Sequence, residues 1–186
     1  MINIDKLSKP NLTLINGLVI GFSVLVCALL VPTRWPGMEL VNIAPNWLMM
    51  WVVAWSVKRS IWSAMVAGVV LGAIQDGLSG SYLPSHIFSL VTVGVLTALL
   101  QKQRYIQEEV VSIAIITFFM TGIAEAVTAV QYILQTRTGW ADIASSPIWL
   151  RYQQVALASA ILSSLWMPVL YYPLNSWWEK VESVED

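Results

Sequence analysis

The chain has 186 residues, of which 57% are hydrophobic and only 11% are charged. A soluble domain of this size cannot bury so much apolar surface, and disordered chains are poor in hydrophobic residues. A net charge of -1 provides no basic surface for nucleic acid, while one cysteine and one histidine exclude an internal disulfide and a multi-histidine metal site. The composition therefore predicts a helical membrane protein without a cofactor.

Charged and turn-forming residues divide the chain into six apolar segments. Each segment has the length that a helix needs to cross the hydrocarbon layer, and none shows the alternation of a membrane strand. The predicted spans are residues 12–31, 41–57, 60–79, 85–101, 110–134 and 152–172. The sequence thus predicts an all-α, six-helix membrane domain over residues 1–174, followed by an acidic cytoplasmic tail over residues 175–186.

Basic residues are distributed unequally between the two sides of this topology. The side that holds both termini and the turns after the second and fourth spans carries seven lysines and arginines, whereas the other side carries three. Because basic loops remain mainly in the cytoplasm, both termini are predicted to be cytoplasmic.

A stripe of small residues runs along the third span. Its members recur at every fourth position and share one helix face: Ala64, Gly68, Gly72, Asp76 and Gly80. Such a face lets another helix approach closely, which favours packing within the bundle and leaves a partner's helix as the alternative. Asp76 lies on this stripe, and an ionisable side chain inside a span is costly unless it is paired or functional. The alternative for Asp76 is a helix-end residue that is exposed to water at the outer interface and caps the turn Gly77–Pro84.

Glu125 is a second acid within a span, at a predicted depth similar to that of Asp76, about 24–26 Å from the cytoplasmic end. Since no lysine or arginine lies within the spans, the candidate hydrogen-bond partners are His86, Gln75 and Gln131. The sequence predicts a polar intramembrane site of Asp76, Glu125, His86 and Gln75. A structural hydrogen-bonded pair is favoured over a proton or cation site.

Tryptophans recur at every fourth position of the second span. Trp47, Trp51 and Trp55 form one broad aromatic face. This pattern favours packing in the bundle or against lipid, and a docking surface for a partner's transmembrane helix is the alternative.

The four residues Gly77–Gly80 form a GxSG sequence similar to the nucleophile region of rhomboid intramembrane proteases. Nucleophilic catalysis needs a base within hydrogen-bond reach of Ser79, and His86 follows only across a Gly/Pro turn instead of from a distant helix. We therefore predict that the protein is not an enzyme.

The second and third spans carry three further motifs. Pro45–Leu48 opens the second span with a Pro-x-x-Leu sequence, and Trp55 followed by Lys58–Arg59 closes it. Gly68–Gly72 leads into Gln75–Ser81, which contains an Asp-x-x-Ser-Gly turn. Together with the length and the six-span hydropathy, these motifs resemble the rod shape-determining protein MreD family over nearly the whole chain.

One position departs from the family, which often has a glycine where this chain has Leu83–Pro84. The resemblance implies a non-enzymatic scaffold in the bacterial inner membrane that recruits cell-elongation proteins through helix–helix contacts. The implied partners, besides the lipid bilayer, are an MreC-like bitopic protein, an MreB-like actin homologue, and the transpeptidase and glycosyltransferase of lateral-wall synthesis.

The family is also similar in fold to the substrate-binding subunits of energy-coupling-factor transporters. A membrane subunit that binds a vitamin-type substrate is therefore the alternative function. Those subunits dock through an Ala-x-x-x-Ala motif on the first helix, where this chain has Gly17-x-x-x-Gly21, and the external loops lack an obvious polar cradle for a ligand.

Overall fold

The structure, a computed structural model, describes residues 9–33, 38–40, 43–80, 85–102, 110–136 and 147–185. These residues form six helices in chain order: α1 (Lys9–Leu30), α2 (Trp47–Ser56), α3 (Ile61–Ser79), α4 (Ser85–Lys102), α5 (Val110–Thr136) and α6 (Pro147–Glu185). Four of them, α1, α3, α5 and α6, are long and apolar enough to cross a membrane, whereas α2 and α4 are shorter apolar helices. The all-helical class predicted from the sequence is confirmed.

The second predicted span, residues 41–57, is wrong as a continuous helix. Its helical part has only ten residues, or about 15 Å, which is half the thickness of the hydrocarbon layer. Pro45 disfavours helix in the residue before it, and Asn46 caps the helix by accepting a hydrogen bond from the Met49 N–H at 3.1 Å. Hydropathy detects the apolar run, but these two residues decide where the helix begins.

Contacts between distant parts of the chain place the start of α1 and the end of α6 at the same end of the bundle. The indole nitrogen of Trp177 donates a hydrogen bond to Oδ1 of Asn16 at 3.3 Å. At this end, Nζ of Lys58 lies 3.1 Å from Oε1 of Glu179. The turn after α2 therefore lies beside the last part of α6.

The other end of α2 lies near the middle of the bundle. The Asn46 N–H donates a hydrogen bond to Oγ of Ser163, about halfway along α6. Trp55, near the end of α2, packs edge-on against Trp178, with ring centroids 5.4 Å apart. Thus α2 spans only the half of the bundle next to the Lys58 end.

The sixth helix is longer than the predicted span of residues 152–172. It has 39 residues and continues through Pro168 and Pro173. Beyond these prolines, Trp178 and Val181 are buried on one face of the helix. The segment predicted as a tail is therefore helical as far as Glu185 and packs on the bundle.

The core is centred on α2. Nine of its ten residues are buried. Around it lie fully or almost fully buried side chains from α4, α5 and α6, namely Leu90, Val93, Ile113 and Met167. The shortest described helix is thus surrounded by protein, and the longer helices form the outer layer.

Candidate functional site

Helices α3 and α4 touch through their backbones. A Cβ added at Gly68 would lie 2.7 Å from Cα of Val91, and one added at Gly72 would come even closer to Cα of Ile87. From the opposite side, a Cβ at Gly94 would lie 2.8 Å from a carbonyl oxygen of α3. The structure therefore places the glycines at 68 and 72 in an internal packing face rather than on an open surface.

Gly80 does not belong to this packing face. It is the C-cap of α3, with a φ of 63°, and a Cβ added there would meet nothing within 4 Å. The left-handed conformation, which favours glycine at helix ends, accounts for this residue. Its place in the predicted stripe of small residues is wrong because the helix has ended by that position.

Asp76 reaches from the end of α3 to the beginning of α4. Its Oδ1 accepts a hydrogen bond from the His86 N–H at 2.9 Å, and its Oδ2 accepts one from the Ile87 N–H at 3.2 Å. The Ser85 hydroxyl donates to Oδ1 at 3.3 Å, and Nδ1 of His86 lies 2.7 Å from the same oxygen. One buried carboxyl group thus accepts hydrogen bonds from three consecutive residues of α4.

This arrangement caps α4 with a side chain from a neighbouring helix. The first amides of a helix have no partner within it, and an unpaired amide is costly inside a membrane. A carboxylate also interacts favourably with the positive end of the helix dipole. Asp76 is only 7% exposed, so it lies inside the bundle, where it is hydrogen-bonded to the first residues of α4 rather than exposed to water.

Glu125, the second predicted acid, lies on α5 and is half-buried. The structure thus brings Asp76 and His86 into direct contact, whereas it places Glu125 on a third helix of the bundle.

Gln75 differs from Asp76 and His86 in its side-chain contacts. It is buried, but among the residues that the structure describes its Oε1 has no hydrogen-bond partner. Its backbone carbonyl accepts a hydrogen bond from Ser79 at 2.8 Å. The serine of the GxSG sequence therefore donates to its own helix, while Nδ1 of His86 lies against Asp76.

The aromatic face of α2 is used inside the bundle. Trp47 and Trp51 are 5% and 3% exposed. The indole nitrogen of Trp51 donates to Oγ of Ser23 on α1, and that of Trp55 donates to Oγ of Ser63 on α3, both at 2.9 Å. This face therefore joins α2 to its neighbours.

The serines that complete these contacts were not predicted from the sequence. Ser85 follows a proline and begins a helix, a pattern that favours capping and identifies it in retrospect. Ser23 and Ser63 occupy ordinary positions in apolar helices. Only the packing of the helices shows that each receives an indole hydrogen bond.

The apolar helices and the polar contacts buried between them define a helical membrane protein. A family model described as rod shape-determining protein MreD matches residues 13–175, and the chain therefore belongs to the MreD family. This family belongs to the shape-determining system that includes MreB and MreC. Searches of curated proteins and of solved structures each found no match to the chain.

Proposed function

We propose that the protein is a non-enzymatic scaffold subunit of the cell-elongation machinery, located in the bacterial inner membrane with both termini in the cytoplasm. Family membership supports the role in rod shape. The excess of basic residues on one side, seven against three, supports the orientation. The contact between Trp177 and Asn16 supports placing both termini on one side, because it joins the first half of α1 to the last part of α6 at one end of the bundle.

The packing of α1 is the observation that carries the scaffold mechanism. Only 11% of its most apolar window is buried, against 33–39% in the other three long apolar helices. Gly17 and Gly21 are exposed on it, and a Cβ added at either would meet nothing within 4 Å. The glycines of α3 are already packed against α4, whereas those of α1 leave room for another helix.

The exposed side chains around these glycines form a continuous helix face. Leu14, Leu18, Phe22 and Leu25 are each more than half exposed and alternate with the glycines at helical spacing. Two small residues between large apolar neighbours create a groove in which a second transmembrane helix packs closely. We assign this groove to the single transmembrane helix of an MreC-like partner.

The remaining partners in the proposal are an MreB-like actin homologue and the transpeptidase and glycosyltransferase of lateral-wall synthesis. A cytoplasmic actin homologue can reach only the end of the bundle where the Lys58–Glu179 ion pair lies, because that end is cytoplasmic in the proposed orientation. The wall enzymes then join through the same membrane assembly.

Co-purification from a gentle detergent tests the groove. The double variant Gly17→Leu, Gly21→Leu should lower recovery of the MreC-like partner about tenfold or more, since bulky side chains separate the helices. Gly122→Leu is the matched control, because Gly122 lies on α5 and also has open space around an added Cβ. A folded double variant that recovers as much partner as the control would exclude the α1 groove.

The alternative function, a vitamin-type transporter subunit, gains no support from the comparisons. A substrate-binding subunit would be stabilised by its ligand through mass action. Thermal melting with a panel of vitamins therefore separates the two functions. A ligand-induced rise in Tm, with co-elution of an ATPase instead of wall proteins, would favour the transporter.

A further inference from the structure

A cavity of about 640 Å³ opens beside the turn between α2 and α3. Its lining includes Lys58, Arg59, Ser60, Trp62, Met65 and Ala98. The first three residues are polar and belong to the turn, whereas the last three are apolar or aromatic and lie on α3 and α4. The cavity therefore has a cationic rim and an apolar wall.

The two cations of the rim have different surroundings. Lys58 forms an ion pair with Glu179 at 3.1 Å, and this contact largely balances its charge. Arg59 is exposed, and its guanidinium carbon lies 4.8 Å from the ring centroid of Trp55. Among the described residues, no acidic side chain forms an ion pair with Arg59. The aromatic ring orients the guanidinium without neutralising it, and five N–H donors suit an anion with several oxygens.

The apolar wall lies at the beginning of α3, which is the headgroup level of the membrane in the proposed orientation. Trp62 is 77% exposed in the first turn of α3, only three residues after Arg59. Tryptophans concentrate at the membrane interface, where the ring contacts both the acyl region and the polar region. Met65, one turn further along α3, continues the wall toward the interior of the span.

We propose that this cavity binds an anionic phospholipid. The headgroup phosphate is held by Arg59, and the acyl chains lie along Trp62 and Met65. A free phosphate would pair with the guanidinium but would leave the apolar wall uncovered. A neutral lipid would cover the wall but would leave the cation without a full counter-charge. An anionic lipid satisfies both sides of the cavity.

Native mass spectrometry of the purified protein tests this inference with an equimolar mixture of phosphatidylglycerol and phosphatidylethanolamine. The wild-type protein should retain phosphatidylglycerol preferentially. Arg59→Gln should lower that retention about tenfold, since a charge-assisted contact with phosphate is lost. Lys180→Gln is the matched control, because it removes a positive charge from α6 near the same end without changing the cavity lining. Its lipid retention should equal that of the wild type.

Three further measurements test the proposal if Arg59→Gln is unstable. Arg59→Lys, which keeps the charge, should retain most of the lipid selectivity, and selectivity of the wild type should fall with rising salt. Glycerol phosphate, a soluble headgroup, should compete only weakly. Equal binding of the two lipids, equal losses in Arg59→Gln and Lys180→Gln, or full competition by glycerol phosphate would overturn the proposal. None of these substitutions changes the α1 groove, so partner recovery reports separately on the scaffold function.

Discussion

Helices α1 and α2 are both strongly apolar, yet they have opposite environments. Nine of the ten residues of α2 are buried, whereas only 11% of the most apolar window of α1 is buried. The difference in burial depends on where the small and aromatic residues of each helix make contacts with other helices. Trp51 of α2 bonds to Ser23 of α1, but Gly17 and Gly21 face away from this contact with open space around them. Hydropathy identifies both segments as helices of a membrane protein, but it does not show whether protein or lipid surrounds them.

The largest expected effect compares truncations of one apolar side chain in each region. Met50 of α2 is fully buried, and Leu18 of α1 is 65% exposed. Met50→Ala should lower the free energy of unfolding by about 2–5 kcal/mol, because it removes packing contacts and leaves a cavity. Leu18→Ala should change it by less than about 0.5 kcal/mol. Thermal or denaturant unfolding in detergent measures both, and equal losses would show that the two helices are not packed differently.

A second comparison adds one methyl group to a glycine in each region. Gly72→Ala forces the new Cβ against the backbone of Ile87, and overpacking of this kind costs about 1–3 kcal/mol. Gly21→Ala meets nothing and should be neutral or slightly stabilising, since alanine favours helix. Expression level and Tm of the two variants provide the measurement. A neutral Gly72→Ala would contradict the backbone contact between α3 and α4.

A third test concerns the hydrogen bonds between the buried Asp76 and the start of α4. Asp76→Leu leaves the amides of His86 and Ile87 without their acceptor and should cost about 1–3 kcal/mol. Asp76→Asn keeps one acceptor oxygen and should cost less. Unfolding and partner recovery are measured for both variants, with Glu125→Gln as the control for removing an acid from α5. If Asn and Leu are equally damaging, the charge itself is required, and the alternative of a proton or cation site gains support.

Features that hydropathy and residue spacing within one helix determine could be predicted from the sequence. The third span and its acid follow from a run of residues within one helix, and the predicted start and end of that span agree with α3 to within one residue. The second span failed because Pro45 and Asn46 act through backbone conformation, which hydropathy does not measure. The sequence offered His86, Gln75 and Gln131 as candidate partners for the two acids, and the structure joins His86 to Asp76. Which amides Asp76 caps depends on how closely Gly72 lets α4 approach.

The smallest expected effect concerns the Lys58–Glu179 ion pair, which joins the exposed end of the α2 turn to α6. The two side chains are 17% and 53% exposed, and Asn175 also donates a hydrogen bond to Glu179 at 2.9 Å. Solvent screens a pair of this kind, so the coupling energy from a double-mutant cycle of Lys58→Gln and Glu179→Gln should be about 0–1 kcal/mol. The coupling should decrease further between low and high salt, whereas the losses from Met50→Ala and Gly72→Ala should not. A coupling above about 2 kcal/mol that persists in high salt would contradict solvent screening of the ion pair. The buried region around α2 would then extend to Lys58 in the following turn.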